Sequence, residues 1–387
     1  MTRTLILFLS TIVAITIITA LLVYTSKLPG QNTQSSNNRS TPNSNNSSNT
    51  NEDFTTKTIA SGLDTPWALA FLPASPNQGG PDKSILVTER QGRLRIIDSS
   101  GTLNPTPIST IDDVVESGEG GLLGIAVHPE FNENKYIYLY YTYKVDGNNT
   151  QNRVVRYKLE NNKISDRTII TDRIPGALFH NGGRIKFGPD NFLYITTGDA
   201  QVPSLAQSRT SLAGKILRIT EDGDPAPNNP FNTRVYSYGH RNPQGITWDD
   251  TGTLWESEHG NSTTDELNII DPGKNYGWPI IRGDEERNGM LTPILQSGAS
   301  TWAPGGIAFF AGSVYFAGLR GNALFKAQIN NNTASNLTKH FEGEFGRIRD
   351  VVLGPDNLLY ITTSNKDGRG NPSSEDDRVI IVNPNKL

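Results

Sequence analysis

A short apolar strand, a turn of Gly, Pro, Asp or Asn, and a second strand recur six times along this chain, and that recurrence restricts the fold more than any other feature. The copies are PWALAFLP with SILVTER, GLLGIAVHPEF with YIYLYYTY, GGRIKFGPDN with FLYITTGD, PQGITWDDTG with TLWESEHG, PGGIAFFAG with SVYFAGL, and IRDVVLGPDN with LLYITTS. Each reads as a β-hairpin, because alternating or continuous short apolar runs are interrupted by residues that favour turns. The copies start near residues 67, 122, 184, 244, 305 and 349. A period of roughly 45 to 60 residues matches one four-stranded blade per copy. The expected fold is all-β, a six-bladed β-propeller. Outer strands such as GRLRIID, NRVVRYKLE, GKILRIT, DELNIID and NALFKAQI lie between the hairpins. The last strand, DRVIIVN, is expected to pair with TKTIAS near the start and close the ring, which removes exposed edges.

Ahead of the repeats, Leu5 to Tyr24 carries no charge and is long enough to cross a bilayer as a helix. A cleaved signal peptide has a shorter apolar core and a small-residue cleavage site, so the length favours an uncleaved anchor. Residues 28–52 are rich in Ser and Asn and too polar to fold, a flexible tether. The expected organisation is a membrane anchor or signal segment over 1–27, a disordered linker over 28–52 and the propeller over 53–387, outside the cytoplasm. Asn-x-Ser/Thr sequons stand at Asn38, Asn45 and Asn46 in the linker and at Asn148, Asn261, Asn331 and Asn336 in the body.

With no cysteine, disulfides and thiolate metal sites are excluded. A metal would be held by oxygen or imidazole, and oxygen suits calcium or magnesium. A formal net charge of -4 gives no basic face for nucleic acid.

Chemistry concentrates where the copies differ. Only the third begins with His-x-Gly-Gly-Arg, at His180. A histidine there is either a general base or a turn residue bonding a carbonyl. YGHRNPQG places Arg241 and Asn242 at the equivalent lead-in of the fourth copy, where an arginine either stabilises an oxyanion or pairs with a surface carboxylate. EHGNSTTDELNIIDPGKNYGW, Glu258 to Trp278, combines carboxylates with bent backbone, which suits calcium, although by itself a solvated acidic loop is the simpler reading. Arg320 stands in GLRGN; Arg347 and Arg349, two apart on one strand, share a face and can clamp one polyanion or form salt bridges to residues such as Asp350. Glu119 is a further polar residue at a blade lead-in.

Taken together, HNGGR, GHRNPQG, the EHGN to DELN segment, KNYGWP and RIRD resemble the glucose/sorbosone dehydrogenase family, quinoproteins that use pyrroloquinoline quinone, and within it the aldose sugar dehydrogenases. The likeness covers about residues 57 to 385, in the family's order. It implies a six-bladed propeller, a fold reached independently from the repeats. It implies that His180 is the base taking the proton from the sugar's anomeric hydroxyl, with Arg241 and Asn242 beside the quinone. Arg347 and Arg349 match the pair that holds the cofactor carboxylates, and Arg320 stands where a family member has lysine. Gly260 and Asn261 match carbonyl ligands of a calcium bridging protein and quinone; Glu266 and Tyr276 match ligands of a second, structural calcium. Glu119 takes the place of a substrate-contacting Gln, Asn261 replaces a Pro, and Phe179 replaces an Asp that precedes the base, so the imidazole must be oriented by another group.

The reading is therefore oxidation of the C1 hydroxyl of an aldose mono- or oligosaccharide to a lactone, with electrons passed to an external acceptor, a membrane quinone or a small redox protein. A calcium-dependent lactonase propeller and a non-enzymatic glycan- or protein-binding propeller are the alternatives. A neutral lactone needs no arginine clamp, which counts against the first.

Overall fold

The computed structural model describes residues 53–74, 84–147 and 149–387. The expected anchor, the linker and the sequon at Asn148 lie outside the described residues. Among those described, no helix is long and apolar enough to cross a membrane.

Six four-stranded antiparallel sheets form the body. Their innermost strands are Pro66–Phe71, Leu122–Val127, Ile185–Phe187, Pro243–Trp248, Pro304–Phe310 and Ile348–Leu353, each beginning within one residue of the position the repeat predicts. We number the blades 1 to 6 in that order. Blade 6 takes its outermost strand, Thr56–Ala60, from the start of the chain; Thr56 pairs with Val382 and Lys57 with Ile381, which closes the ring as expected.

Burial is greatest in the second strands and falls toward the outer rim. The second strands of blades 1, 3 and 6, Ile85–Glu89, Leu193–Thr197 and Leu359–Thr363, are buried throughout, because a radial sheet packs on a neighbour at both faces. The outermost strand of blade 5, Thr333–His340, is exposed or half-buried along its whole length. Each fully buried Leu, Ile or Val of the inner layers contributes about 1.5–3 kcal/mol.

The inner strands can be placed in one register, since Ala70, Ala126, Lys186, Thr247, Ala308 and Val352 face Leu86, Tyr138, Tyr194, Trp255, Tyr315 and Tyr360 on their second strands. Two residues earlier stand Ala68, Gly124, Arg184, Gly245, Gly306 and Asp350. Here the channel is plugged. Arg184 Nη1 donates to Asp350 Oδ2 at 3.1 Å, and Arg184 Nη2 lies 3.0 Å from Asp350 Oδ1. The same carboxylate accepts the Leu69 amide at 3.0 Å, and Arg184 Nε donates to the Gln244 carbonyl at 3.0 Å, so blades 1, 3, 4 and 6 are tied across the axis. The Arg184 guanidinium also sits 4.4 Å from the centre of the buried Trp67 ring. Small residues on the other blades make room for the pair: a Cβ at Gly306 would collide with Asp350 Oδ1.

Candidate functional site

At the end of the channel where the inner strands begin, a cavity of about 550 Å³ opens. Its walls are the segments that lead into the blades, so each blade presents a different loop to a common space.

His180 reaches it from an unusual backbone. Its φ is +63°, a left-handed conformation, followed by Gly182 at +63° and Gly183 at +111°. Neither glycine tolerates a side chain: a Cβ at Gly182 would meet the Thr196 carbonyl and Thr197 Cα at 2.6 Å. Asn181 locks the turn through its Nδ2, which donates to the Ala177 carbonyl at 2.8 Å. His180 Nδ1 lies 2.7 Å from Asp199 Oδ1, and Asp199 is fully buried. The carboxylate is held in turn by the Gln201 amide at 2.8 Å and by the Trp278 indole N–H, which donates to Oδ2 at 2.8 Å. This fixes the imidazole with Nδ1 toward the carboxylate and leaves Nε2 as the nitrogen able to take a proton. Asp199 thus supplies the orientation that Phe179 cannot. Phe179 itself stands at the rim, 37 % exposed, with the Arg369 guanidinium 5.4 Å from its ring centre.

Cations dominate the rest of the wall. Arg241 is fastened by its amide, which donates to Glu258 Oε1 at 2.8 Å, and by Nη1 to the His259 carbonyl at 3.1 Å. Asn242 accepts the Gly182 amide at 3.0 Å and so connects blade 4 to the histidine turn. Arg347 and Arg349 do line one cavity, as their spacing implies, but they are not equivalent. Arg347 is paired with Asp367 through Nε and Nη2 at 3.0 and 2.8 Å. Arg349 has no carboxylate partner among the described residues and donates to Gln244 Oε1 at 2.6 Å; burial pulls its guanidinium down to about 9, still cationic at neutral pH. Asp350 pairs with Arg184 in the plug, not with either arginine. Arg320 is exposed at the rim.

Glu119 accepts the His180 amide at 3.3 Å and pairs with Arg369 at 2.8 Å. Burial alone would raise this carboxyl, but the charges of His259 and Arg369 and the amide overcome that and bring it to about 2. Arg369 is the charge that persists at neutral pH, because burial drives His259 down to about 4.

Beside the cavity, Gly260, Asn261, Glu266 and Tyr276 border one small adjoining space. Asp265 shapes it, accepting the Gly260 amide at 2.9 Å, the Thr301 hydroxyl at 2.8 Å and the Trp302 and Ala303 amides at 2.6 and 2.9 Å. The Tyr276 hydroxyl already donates to the Ile269 carbonyl at 2.7 Å, so its contribution to a cation would come from its main-chain carbonyl. Below lie Glu256 and Glu258, both buried, with His240 within 4.8 Å of them. Both ring nitrogens of His240 are engaged, by Glu258 at 2.9 Å and Ser237 at 2.8 Å, and burial lowers its pKa to about 3. Burial also raises Glu258 and Glu266, each to about 8, and raises Glu256 well above the usual carboxyl range. Crowded, desolvated carboxylates of this kind favour a bound cation or a proton.

Sequence reasoning missed Asp199, Glu256 and Arg369, and gave no individual role to Glu258, Asp265 or Trp278 within the acidic segment it singled out. The signal for Asp199 was present: it closes the same hairpin that His180 opens, and paired strands bring their far ends together.

A family profile described as Glucose / Sorbosone dehydrogenase matches residues 63–372. The PQQ-bound aldose sugar dehydrogenase of Streptomyces coelicolor superposes with a TM-score of 0.78 at 41% identity, covering 84% of this chain and 96% of that one. Aldose sugar dehydrogenase YliI of Escherichia coli is 31% identical over 79% of this chain and 89% of its own. Quinoprotein glucose dehydrogenase B of Acinetobacter calcoaceticus is 33% identical over 64% of this chain and 57% of its own.

Proposed function

The chain belongs to the glucose/sorbosone dehydrogenase family, and from that premise we propose that it oxidises the C1 hydroxyl of aldose sugars to lactones, using pyrroloquinoline quinone and calcium. One constellation carries the reading: an imidazole tied at Nδ1 to a buried carboxylate, in the wall of a cavity where guanidinium groups outnumber carboxylates.

The donor set suits a planar polycarboxylate. Arg241 Nε, His259 Nε2 and Arg349 Nε are buried there with no hydrogen-bond partner among the described residues, a costly state that an anionic ligand relieves. Arg320, Arg347 and Arg349 would hold the carboxylates, with Arg241 and Asn242 beside them. The carbonyls of Gly260 and Asn261 would hold one calcium, and Glu266 with the Tyr276 carbonyl a second; the unpartnered Glu256 Oε1 marks this region as short of positive charge. Bound there, the quinone supplies the acceptor for the hydride from C1 and calcium the Lewis acid.

The protein's own part is positional and protonic. His180 Nε2 takes the proton of the C1 hydroxyl, which requires the neutral ring; Asp199 keeps the other nitrogen protonated and stabilises the imidazolium that forms. Glu119, ionised, accepts from a sugar hydroxyl, and Arg369 sets its direction. Arg241 presents fixed positive charge to the reacting centre. The apolar run Leu5 to Tyr24 supports placement outside the cytoplasm at a membrane, where a membrane quinone or a small redox protein would accept the electrons. A lactonase would have no use for the arginine wall, and a binding propeller none for a buried acid behind the histidine.

The test is reduction of an artificial dye by a panel of aldoses, with quinone and calcium added separately and together. Reduction that needs sugar, quinone and calcium at once, and that His180→Ala abolishes, is the expected result. Absence of both turnover and quinone binding in a titration would overturn the reading.

A further inference from the structure

Beyond the Arg184–Asp350 plug the channel widens again into a second cavity of about 510 Å³, at the end where the inner strands finish. Its size and lining are those of a small-molecule pocket, mostly apolar with a few polar groups. Each blade contributes the same tier of residues: half-buried Phe71, Val127, Phe187, Trp248 and Phe309, with Leu353 37 % exposed.

One tier inward the repetition breaks. Five blades place Ala70, Ala126, Thr247, Ala308 and Val352 in the register described above; the third places Lys186. Its ammonium forms no ion pair among the described residues. Its hydrogen bond is a long one, 3.5 Å to Thr247 Oγ1, and it lies 6.0 Å from the centre of the Trp248 ring, at the limit of a cation–π contact. The nearby carboxylate, Asp350, is already paired with Arg184. Lys186 is exposed, and it is one of the residues that line this cavity. Crowding by the funnel walls pulls its pKa down to about 8, and repulsion from Arg184 adds to this. A lone cation in an apolar funnel is half of a binding site; charge complementarity specifies the other half.

We propose that this second mouth binds a monoanion with an apolar tail, a single-chain or aromatic carboxylate or sulfonate whose head meets Lys186 and whose tail lies against Phe71, Phe187, Trp248 and Phe309. The site is independent of the redox reading, since the plug separates the two cavities.

Residues 53–387 carry every strand of the six sheets and serve for the test. The probe is 8-anilinonaphthalene-1-sulfonate, followed by its fluorescence, with decanoate and decanol as competitors. Expected are one probe per chain, displacement by decanoate at concentrations at least about tenfold below those of decanol, and a loss of about tenfold or more in affinity in Lys186→Met with Lys186→Arg close to wild type. Ala126→Trp, which fills the funnel and keeps the charge, should abolish binding; thermal melts establish that each variant is folded. Equal displacement by decanol, several probes per chain, or unchanged affinity in folded Lys186→Met would each overturn the proposal and reduce Lys186 to a solvated surface cation. His180→Ala should leave probe binding unaltered, which keeps this result separate from the fate of the redox reading.

Discussion

The two mouths of the channel are made from the same six strands and differ in which ends of those strands they use. The mouth where the strands begin is walled by lead-in loops, no two alike, and it gathers His180, Glu119 and five arginines. The mouth where they finish is walled by the strands themselves, so it inherits their regularity: one tier of six apolar residues, and one of five apolar or small residues with a single lysine. In this molecule the scaffold does the same thing six times, and chemistry appears wherever one blade departs from the other five.

If the contrast is right, removing His180 should be felt at one mouth only. His180→Ala is expected to lower turnover of sugar by up to about 10⁴-fold with the melting temperature nearly unchanged; a fall in stability of similar weight would make it a structural residue. Asp350→Ala attacks the partition between the mouths. It leaves the Arg184 charge buried and alone, and chemical denaturation should show a loss of about 3–5 kcal/mol. Asp199→Asn should keep the fold but free the imidazole to adopt the wrong tautomer, with turnover down by about 10²-fold and little change in KM; a pure KM effect would contradict the assigned role.

Glu119→Gln tests the acidic side of the first mouth. The folded carboxyl titrates near 2, below its ordinary 4.5, so its contribution is present above about pH 4.5 and is lost as the pH falls toward 2. The variant should be less stable by about 1–2 kcal/mol at pH 7, with the difference closing toward pH 2. A gap that stays constant with pH would assign the loss to packing. The smallest effect belongs to the second mouth: Lys186→Met should change stability by under about 1 kcal/mol and leave sugar oxidation untouched.

How much of this could be read from sequence follows the same division. The blades were legible because each hairpin writes its own turn residues, and the position of His180 was legible as the exception among them. Asp199 was hidden, although only nineteen residues along, because the hairpin and not the local sequence makes it a neighbour. Glu256 and Glu258 alternate along one strand and so share a face, but nothing in that spacing shows that His240 packs on them. Arg369 comes from a loop of the last blade to meet Glu119 of the second, a contact across 250 positions that no local pattern records. The paired arginines were foreseen, and the claim of Asp367 on one of them was not.

The strand exchange that closes the ring has a consequence for synthesis. Thr56 waits for Val382, and the arginines at 347 and 349 are made only shortly before that partner arrives. At roughly 5–20 residues per second, the first strand spends tens of seconds without its sheet. A nascent chain can therefore build five blades and still possess neither a sealed ring nor a complete anion wall. A chain that stops between Asp350 and Val379 keeps both arginines and lacks the strand that seals the ring, so the seam and the arginine wall fail separately.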